Sequence, residues 1–63
     1  MTPAILASLA HLANLEAKHP AVARAVRADF ACLAPRPTSS ELVWKGWVKT
    51  LTSEIRYRAS LAR

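Results

Sequence analysis

Apolar residues near the start of the chain recur at the spacing of an amphipathic helix. Thr2 followed by Pro3 is typical of an N-cap with proline at the first helical position, where a missing N–H has no cost. Lys18 is placed to meet the negative end of the helix dipole. The predicted apolar face comprises Ile5, Leu6, Leu9, Leu12 and Ala13, and the polar side carries His11, Asn14 and Lys18.

A second apolar stripe follows a proline break. Pro20 disfavours helical angles at His19 and is suited to begin a new helix, predicted over residues 20–33. Within it the spacing i, i+4, i+8 and i+11 predicts one buried stripe. That stripe is Val22, Val26, Phe30 and Leu33.

A short stiff connection leads into the third predicted helix. The prolines of segment 34–37 prevent a helix from continuing, and Thr38 with Glu41 three residues later matches a capping box. Helix 3 is predicted from about Ser39 to near the C-terminus, roughly 24 residues and ~36 Å long. Gly46 lies inside it and indicates a bend or a close packing contact.

The third helix has more apolar surface than a single packing contact requires. On a helical wheel its main apolar side comprises Trp44, Trp47, Val48, Leu51, Ile55, Ala59 and Ala62, and a weaker edge beyond it comprises Val43, Tyr57 and Leu61. An adjoining stripe carries Lys45, Lys49, Thr52, Arg56 and Arg63, with no acidic residue among them. A helix with so wide an apolar arc is usually buried by more than one neighbour.

These patterns predict an all-α fold. Residues 1–63 are expected to form one small three-helix domain, with two shorter helices packed on the long C-terminal helix. The wide apolar arc and the unequal helix lengths favour a homodimer or an obligate complex with another protein. The predicted core is Leu9, Leu12, Val22, Val26, Phe30, Trp44, Val48, Leu51 and Ile55.

The distribution of charge along the chain indicates which kind of partner the protein would bind. The chain has nine basic and four acidic residues, a net charge of +5 and a pI near 10.4. Residues 1–35 hold three basic against two acidic residues, whereas residues 36–63 hold six against two. Such a balance favours acidic partners, and it places the charge that faces them in the last part of the chain.

Several function classes lack the residues they need. Cys32 is the only cysteine and, with His11 and His19, leaves too few ligands for a structural zinc site. No spacing brings a nucleophile and a base together, and one glycine cannot form a phosphate loop. We therefore expect no enzyme activity, cofactor, metal or small-molecule substrate.

Targeting signals and membrane segments are not expected either. The first charged residue is Glu16, so no basic region precedes an apolar stretch as in a signal peptide. The uncharged run 1–15 is too short to span a bilayer. We expect a cytoplasmic protein with no membrane span. A peptide that lies on a membrane surface is disfavoured because the apolar stripes suit a folded core. A DNA-reading helix-turn-helix is disfavoured because the turn of that motif is usually short and often contains glycine, whereas segment 34–37 is stiff and has none.

Two function hypotheses remain. The leading hypothesis is a small interaction protein that regulates or inhibits a larger protein through helix 3. Its predicted contacts are Trp47, Lys49, Arg56, Tyr57, Arg58 and Leu61. The alternative is a nucleic-acid-binding protein that contacts phosphates without regard to sequence, through Lys45, Lys49, Arg56 and Arg63. A solvated face that keeps an apolar helix in solution also explains the basic stripe.

Overall fold

Three α-helices and one short 3₁₀ turn make up the protein in the computed structural model, which describes residues 2–61. Helix α1 spans Pro3–Lys18, α2 spans Pro20–Asp29 and α3 spans Glu41–Leu61, with a 3₁₀ turn at Ala31–Leu33 between α2 and α3. No strand occurs in this part of the chain, and α1 and α2 pack against the long α3. The predicted all-α class and arrangement are confirmed.

Helix α1 begins and ends as the sequence predicts. Thr2 has extended backbone angles, and its hydroxyl accepts a hydrogen bond of 3.3 Å from the N–H of Ile5, which makes it the N-cap. Pro3 occupies the first turn and Lys18 the last. The helix stops at His19, whose N–H donates to the carbonyls of Leu15 and Glu16.

Helix α2 is shorter than predicted. Its last α-helical bond runs from the N–H of Phe30 to Val26, and the next bonds close three-residue turns, from Leu33 to Phe30 and from Ala34 to Ala31. The 3₁₀ turn rotates the chain away from the α2 stripe, so Leu33 is 65% exposed instead of buried. The prediction of one continuous helix over 20–33 was therefore wrong in its last turn.

The start of α3 also corrects a prediction. The helix begins at Glu41, and its N-cap is Ser40, whose hydroxyl accepts a bond of 3.4 Å from the N–H of Val43. Ser39 instead stabilises the preceding turn, because its hydroxyl accepts from the N–H of Arg36 at 2.9 Å. The capping box predicted from Thr38 and Glu41 is wrong, since Glu41 is the first helical residue and not the third.

All three α-helices contribute to one buried apolar cluster. Its members are Leu12, Ala23, Val26, Val48, Leu51 and Ile55, and Leu9, Leu15, Val22, Phe30 and Trp47 pack against it partly buried. Every predicted core residue is thus buried or half-buried, including Trp44. The predicted core omitted Ile5 and Ala23, which are 1% and 5% exposed.

Helices α1 and α3 lie side by side and run in the same direction. At their starts, the Thr2 hydroxyl donates to the Glu41 carboxylate at 3.1 Å. Further along, Asn14 and Lys18 border the same cavity as Arg56. Helix α2 packs against the C-terminal part of this pair. Its Arg27 bonds Glu16 of α1, and its Asp29 bonds Arg58 of α3.

Gly46 lies in open space on α3. A Cβ atom built on it would meet nothing within 4 Å outside the local backbone. The expected close packing contact at Gly46 is therefore wrong, and the helix runs unbroken from Glu41 to Leu61.

The corrected cap gives a first prediction. Ser40→Ala should lower the free energy of unfolding by about 0.5–2 kcal/mol, because the N–H of Val43 loses its acceptor. Thr38→Ala is the matched control and should change it by less than about 0.5 kcal/mol. Urea unfolding followed by circular dichroism measures both. A larger loss in Thr38→Ala than in Ser40→Ala would restore the capping box.

The open surroundings of Gly46 give a second prediction. Gly46→Ala should raise the free energy of unfolding by about 0.5–1 kcal/mol, because alanine has the higher helix propensity and meets no neighbour. A thermal melt measures the change. Destabilisation by this substitution would show that something approaches Gly46 closely in solution.

Candidate functional site

A groove lined by polar and cationic side chains runs between α1 and α3. It consists of two adjoining cavities of about 340 and 280 Å³, which share Thr52 and Arg56. The α1 wall comprises Ser8, His11, Asn14, Leu15 and Lys18. The α3 wall comprises Lys45, Val48, Lys49, Thr52, Ser53 and Arg56. We call this the cationic groove.

Helical periodicity aligns each wall. On α1, positions 8, 11, 14, 15 and 18 recur every three or four residues, which places them along one side of the helix. On α3, positions 45, 49, 52, 53 and 56 follow the same rule. Leu15 and Val48 belong to both the groove and the apolar core, so the cationic side chains stand directly beside the α1–α3 packing contact.

The two walls have matching lengths. Lys45 to Arg56 spans about 16 Å along α3, and Ser8 to Lys18 spans about 15 Å along α1, at 1.5 Å per residue. Because packed helix axes are commonly about 8–10 Å apart, the space between them is a trough with charged edges. Such a trough is long enough to contact several repeating units of an extended polymer.

No acidic residue of the described chain lines the groove. Its cations are Lys18, Lys45, Lys49 and Arg56, and its other hydrogen-bonding side chains include His11, Asn14 and Thr52. Of the four cations, Lys45 alone has a carboxylate within ion-pair distance among residues 2–61, at 3.8 Å from Glu41. That pair is solvent-exposed and therefore weak.

The other three acidic residues form ion pairs with arginines that do not line the groove. Glu16 forms a two-point ion pair with Arg27 of α2, and Asp29 and Glu54 both bond Arg58, at 2.8 and 3.2 Å. The hydrogen bond to Glu16 raises the pKa of Arg27, and the hydrogen bond to Asp29 raises the pKa of Arg58. Both arginines therefore stabilise contacts within the protein, and the carboxylates of Glu16, Asp29 and Glu54 are held outside the lining of the groove.

The residues predicted to bind nucleic acid fall largely in this groove. Lys45, Lys49 and Arg56 form the cationic part of its α3 wall, and all three are exposed. Arg63 lies outside the described residues. The basic stripe predicted on α3 is therefore one wall of a larger feature.

The residues predicted to bind a larger protein are divided among three environments. Lys49 and Arg56 line the groove. Tyr57 and Leu61 do not line it and are 61% and 67% exposed. The remaining two side chains make internal contacts: Trp47 packs partly buried against the core, and Arg58 is held in its ion pairs.

The α1 wall is the part that sequence analysis missed. His11, Asn14 and Lys18 were recognised as the polar side of α1, but no pattern within α1 shows which helix that side adjoins. Lys18 was placed on that polar side and at the negative end of the helix dipole, but it was not predicted as a ligand contact. The polar side of α1 was the available signal, and which helix it adjoins depends on how the two helices pack.

A third cavity, separate from the cationic groove and about 360 Å³ in volume, lies where the first turns of α1 and α3 meet. Thr2, Ile5, Pro37, Ser39, Glu41 and Trp44 line it. The indole N–H of Trp44 is buried and has no hydrogen-bond partner in the described part of the chain. This cavity has one acidic and no basic lining residue, so its chemistry differs from that of the cationic groove.

Across residues 2–61, no three histidine, cysteine, aspartate or glutamate side chains are grouped to hold a metal ion. None of the described helices is both long and apolar enough to cross a bilayer.

Comparison of this chain with protein-family models, with curated proteins and with solved structures finds no match.

Proposed function

We propose that this protein binds the phosphate backbone of nucleic acid without reading its sequence, through the cationic groove. The observation that carries the proposal is the convergence of four cations from two helices on one groove that no described acidic residue lines. This moves the phosphate-binding hypothesis ahead of docking on a larger protein, and it adds Lys18 to the expected contacts.

Phosphate recognition suits this set of side chains. Lysine and arginine neutralise phosphates and release condensed counterions, which supplies most of the free energy of sequence-independent binding. Hydroxyl, amide and imidazole groups add hydrogen bonds to phosphate oxygens, and such contacts fix position but carry no sequence information. Ser8, Asn14 and Thr52 are in place for that task.

The separation of charge also argues against a merely solvated face. Surfaces that only maintain solubility usually intersperse both signs of charge. Here Glu16, Asp29 and Glu54 form ion pairs outside the groove, and Glu41 lies at its edge beside Lys45. The described lining of the groove therefore carries four cationic and no acidic side chains, which favours a polyanion.

Charge reversal inside and outside the groove tests the proposal. Lys49→Glu with Arg56→Glu should weaken binding to a mixed-sequence nucleic acid by at least about tenfold and flatten its salt dependence, because two phosphate contacts are lost. The matched control is Arg24→Glu with Arg36→Glu, two exposed positions outside the groove. Both variants change the net charge from +5 to +1, since each reversal removes two units.

Fluorescence anisotropy across a salt series measures the affinity and its salt dependence for the unmodified protein and the two variants. The proposal requires the groove variant to lose far more affinity than the control variant. Equal losses in the two variants would mean that net charge alone attracts the nucleic acid. No binding by the unmodified protein at low salt would refute the proposal outright.

A second candidate function is docking on a larger protein as its regulator or inhibitor. The observation that favours it is an exposed apolar edge on α3, formed by Val43, Tyr57 and Leu61, which are 49%, 61% and 67% exposed. Aromatic side chains are frequent anchors at protein interfaces. Lys49 and Arg56 remain available as charge contacts, whereas Arg58 must first leave Asp29 and Glu54.

We propose that the same edge would form the contact of the expected homodimer. Tyr57→Ala with Leu61→Asp should shift the sedimenting species toward the monomer mass, because both substitutions remove exposed apolar area from α3. Nucleic-acid affinity per protomer should fall by less than in the groove variant, since neither residue lines the groove. An unmodified protein that stays monomeric at high micromolar concentration would contradict the homodimer.

A further inference from the structure

The groove contains no phenylalanine, tryptophan or tyrosine side chain. The four residues of these types are Phe30, Trp44, Trp47 and Tyr57. Phe30 and Trp47 pack against the core, Trp44 borders the cavity at the other end of the α1–α3 pair, and Tyr57 lies outside both groove cavities. Proteins that hold single strands stack successive bases on aromatic side chains, and the imidazole of His11 is the one aromatic ring among the residues that line this groove.

A flexible ligand is at a disadvantage in such a site. A single strand must be ordered to follow two straight helix walls, and the lost conformational freedom opposes binding. Because a single imidazole cannot stack on successive bases, the four cations are the main compensation. A duplex presents its phosphates on a backbone that is already rigid, and its phosphate charge density along the helix axis is twice that of each of its strands.

The shape of the groove points the same way. A helix that reads bases must protrude into the major groove of the duplex. Here three cations lie on the α3 edge of a trough about 16 Å long between packed helices, and Lys18 lies on the α1 edge. A trough of this shape fits a protruding part of its ligand. On a nucleic-acid duplex the protruding part is the sugar–phosphate backbone of one strand.

We infer that the ligand of the cationic groove is duplex nucleic acid, held by one backbone strand, in preference to single strands. This inference rests on the proposed function, since it names which nucleic acid the same site selects. Four contacts, from Lys18, Lys45, Lys49 and Arg56, set the expected strength of the salt dependence. For B-DNA the slope of log affinity against log salt should be about −3.6.

The test compares a mixed-sequence duplex of 20 base pairs with each of its separated strands and with oligo-dT of equal length. Anisotropy titrations of the full chain should give at least about tenfold tighter binding to the duplex at the same salt. A second duplex of unrelated sequence should bind within about threefold of the first. Single strands that bind as tightly as the duplex would overturn the inference and leave the proposed function standing, whereas absence of binding to every probe would overturn both.

An added aromatic residue provides a gain-of-function arm. Ser53 is exposed on the α3 wall, so Ser53→Trp places a stacking surface in the groove with little effect on the core. Single-strand affinity should rise by about fivefold or more, the lower end of the range for stacking of one base. Thr50→Trp, on α3 but outside the groove, is the matched control and should not raise it. Equal gains from the two variants would contradict the assignment of the groove as the binding surface.

Discussion

The packing of α1 along α3 is the contact on which the rest of the structure depends. Leu12 from α1 meets Leu51 and Ile55 from α3 in the buried cluster, and these three side chains are at most 1% exposed. Burial of side chains of this size contributes about 1.5–3 kcal/mol each, which is a large part of the stability of so small a domain. The same contact sets two polar helix sides next to each other, and the cationic groove follows from it.

Helix α2 completes the core and also draws negative charge away from the groove. Ala23 and Val26 close the apolar cluster on the side away from the groove. At its edges, Arg27 bonds Glu16 and Asp29 bonds Arg58, so two carboxylates that belong to α1 and α2 are held in internal pairs. Charge separation therefore arises from the placement of α2, and the cationic groove and the ion pairs are two results of the same packing.

Because α1 and α3 run in the same direction, the chain must return from the end of α1 to the start of α3. Prolines and serines set the helix ends along this return path. Pro20 separates α1 from α2, the 3₁₀ turn at Ala31–Leu33 redirects the chain, and Ser39 and Ser40 end the connection at α3. These local hydrogen bonds decided where helices begin and end. The misplaced cap and the overlong α2 both arose because neighbouring serine, threonine and alanine residues satisfy the same sequence rules at several positions, and only the path of the connection selects among them.

The sequence by itself determined the three helices, the proline breaks and nearly all of the core, because these depend on periodicity and on local steric rules. It also determined the basic stripe of α3, since residues at positions 45, 49, 52 and 56 share a side of any regular helix. Tertiary structure alone decided that Lys18, His11 and Asn14 would face that stripe, and that Arg58 would be held by Asp29. Side chains from different helices meet only through packing, and no pattern within one helix encodes the neighbour that its polar side will adjoin.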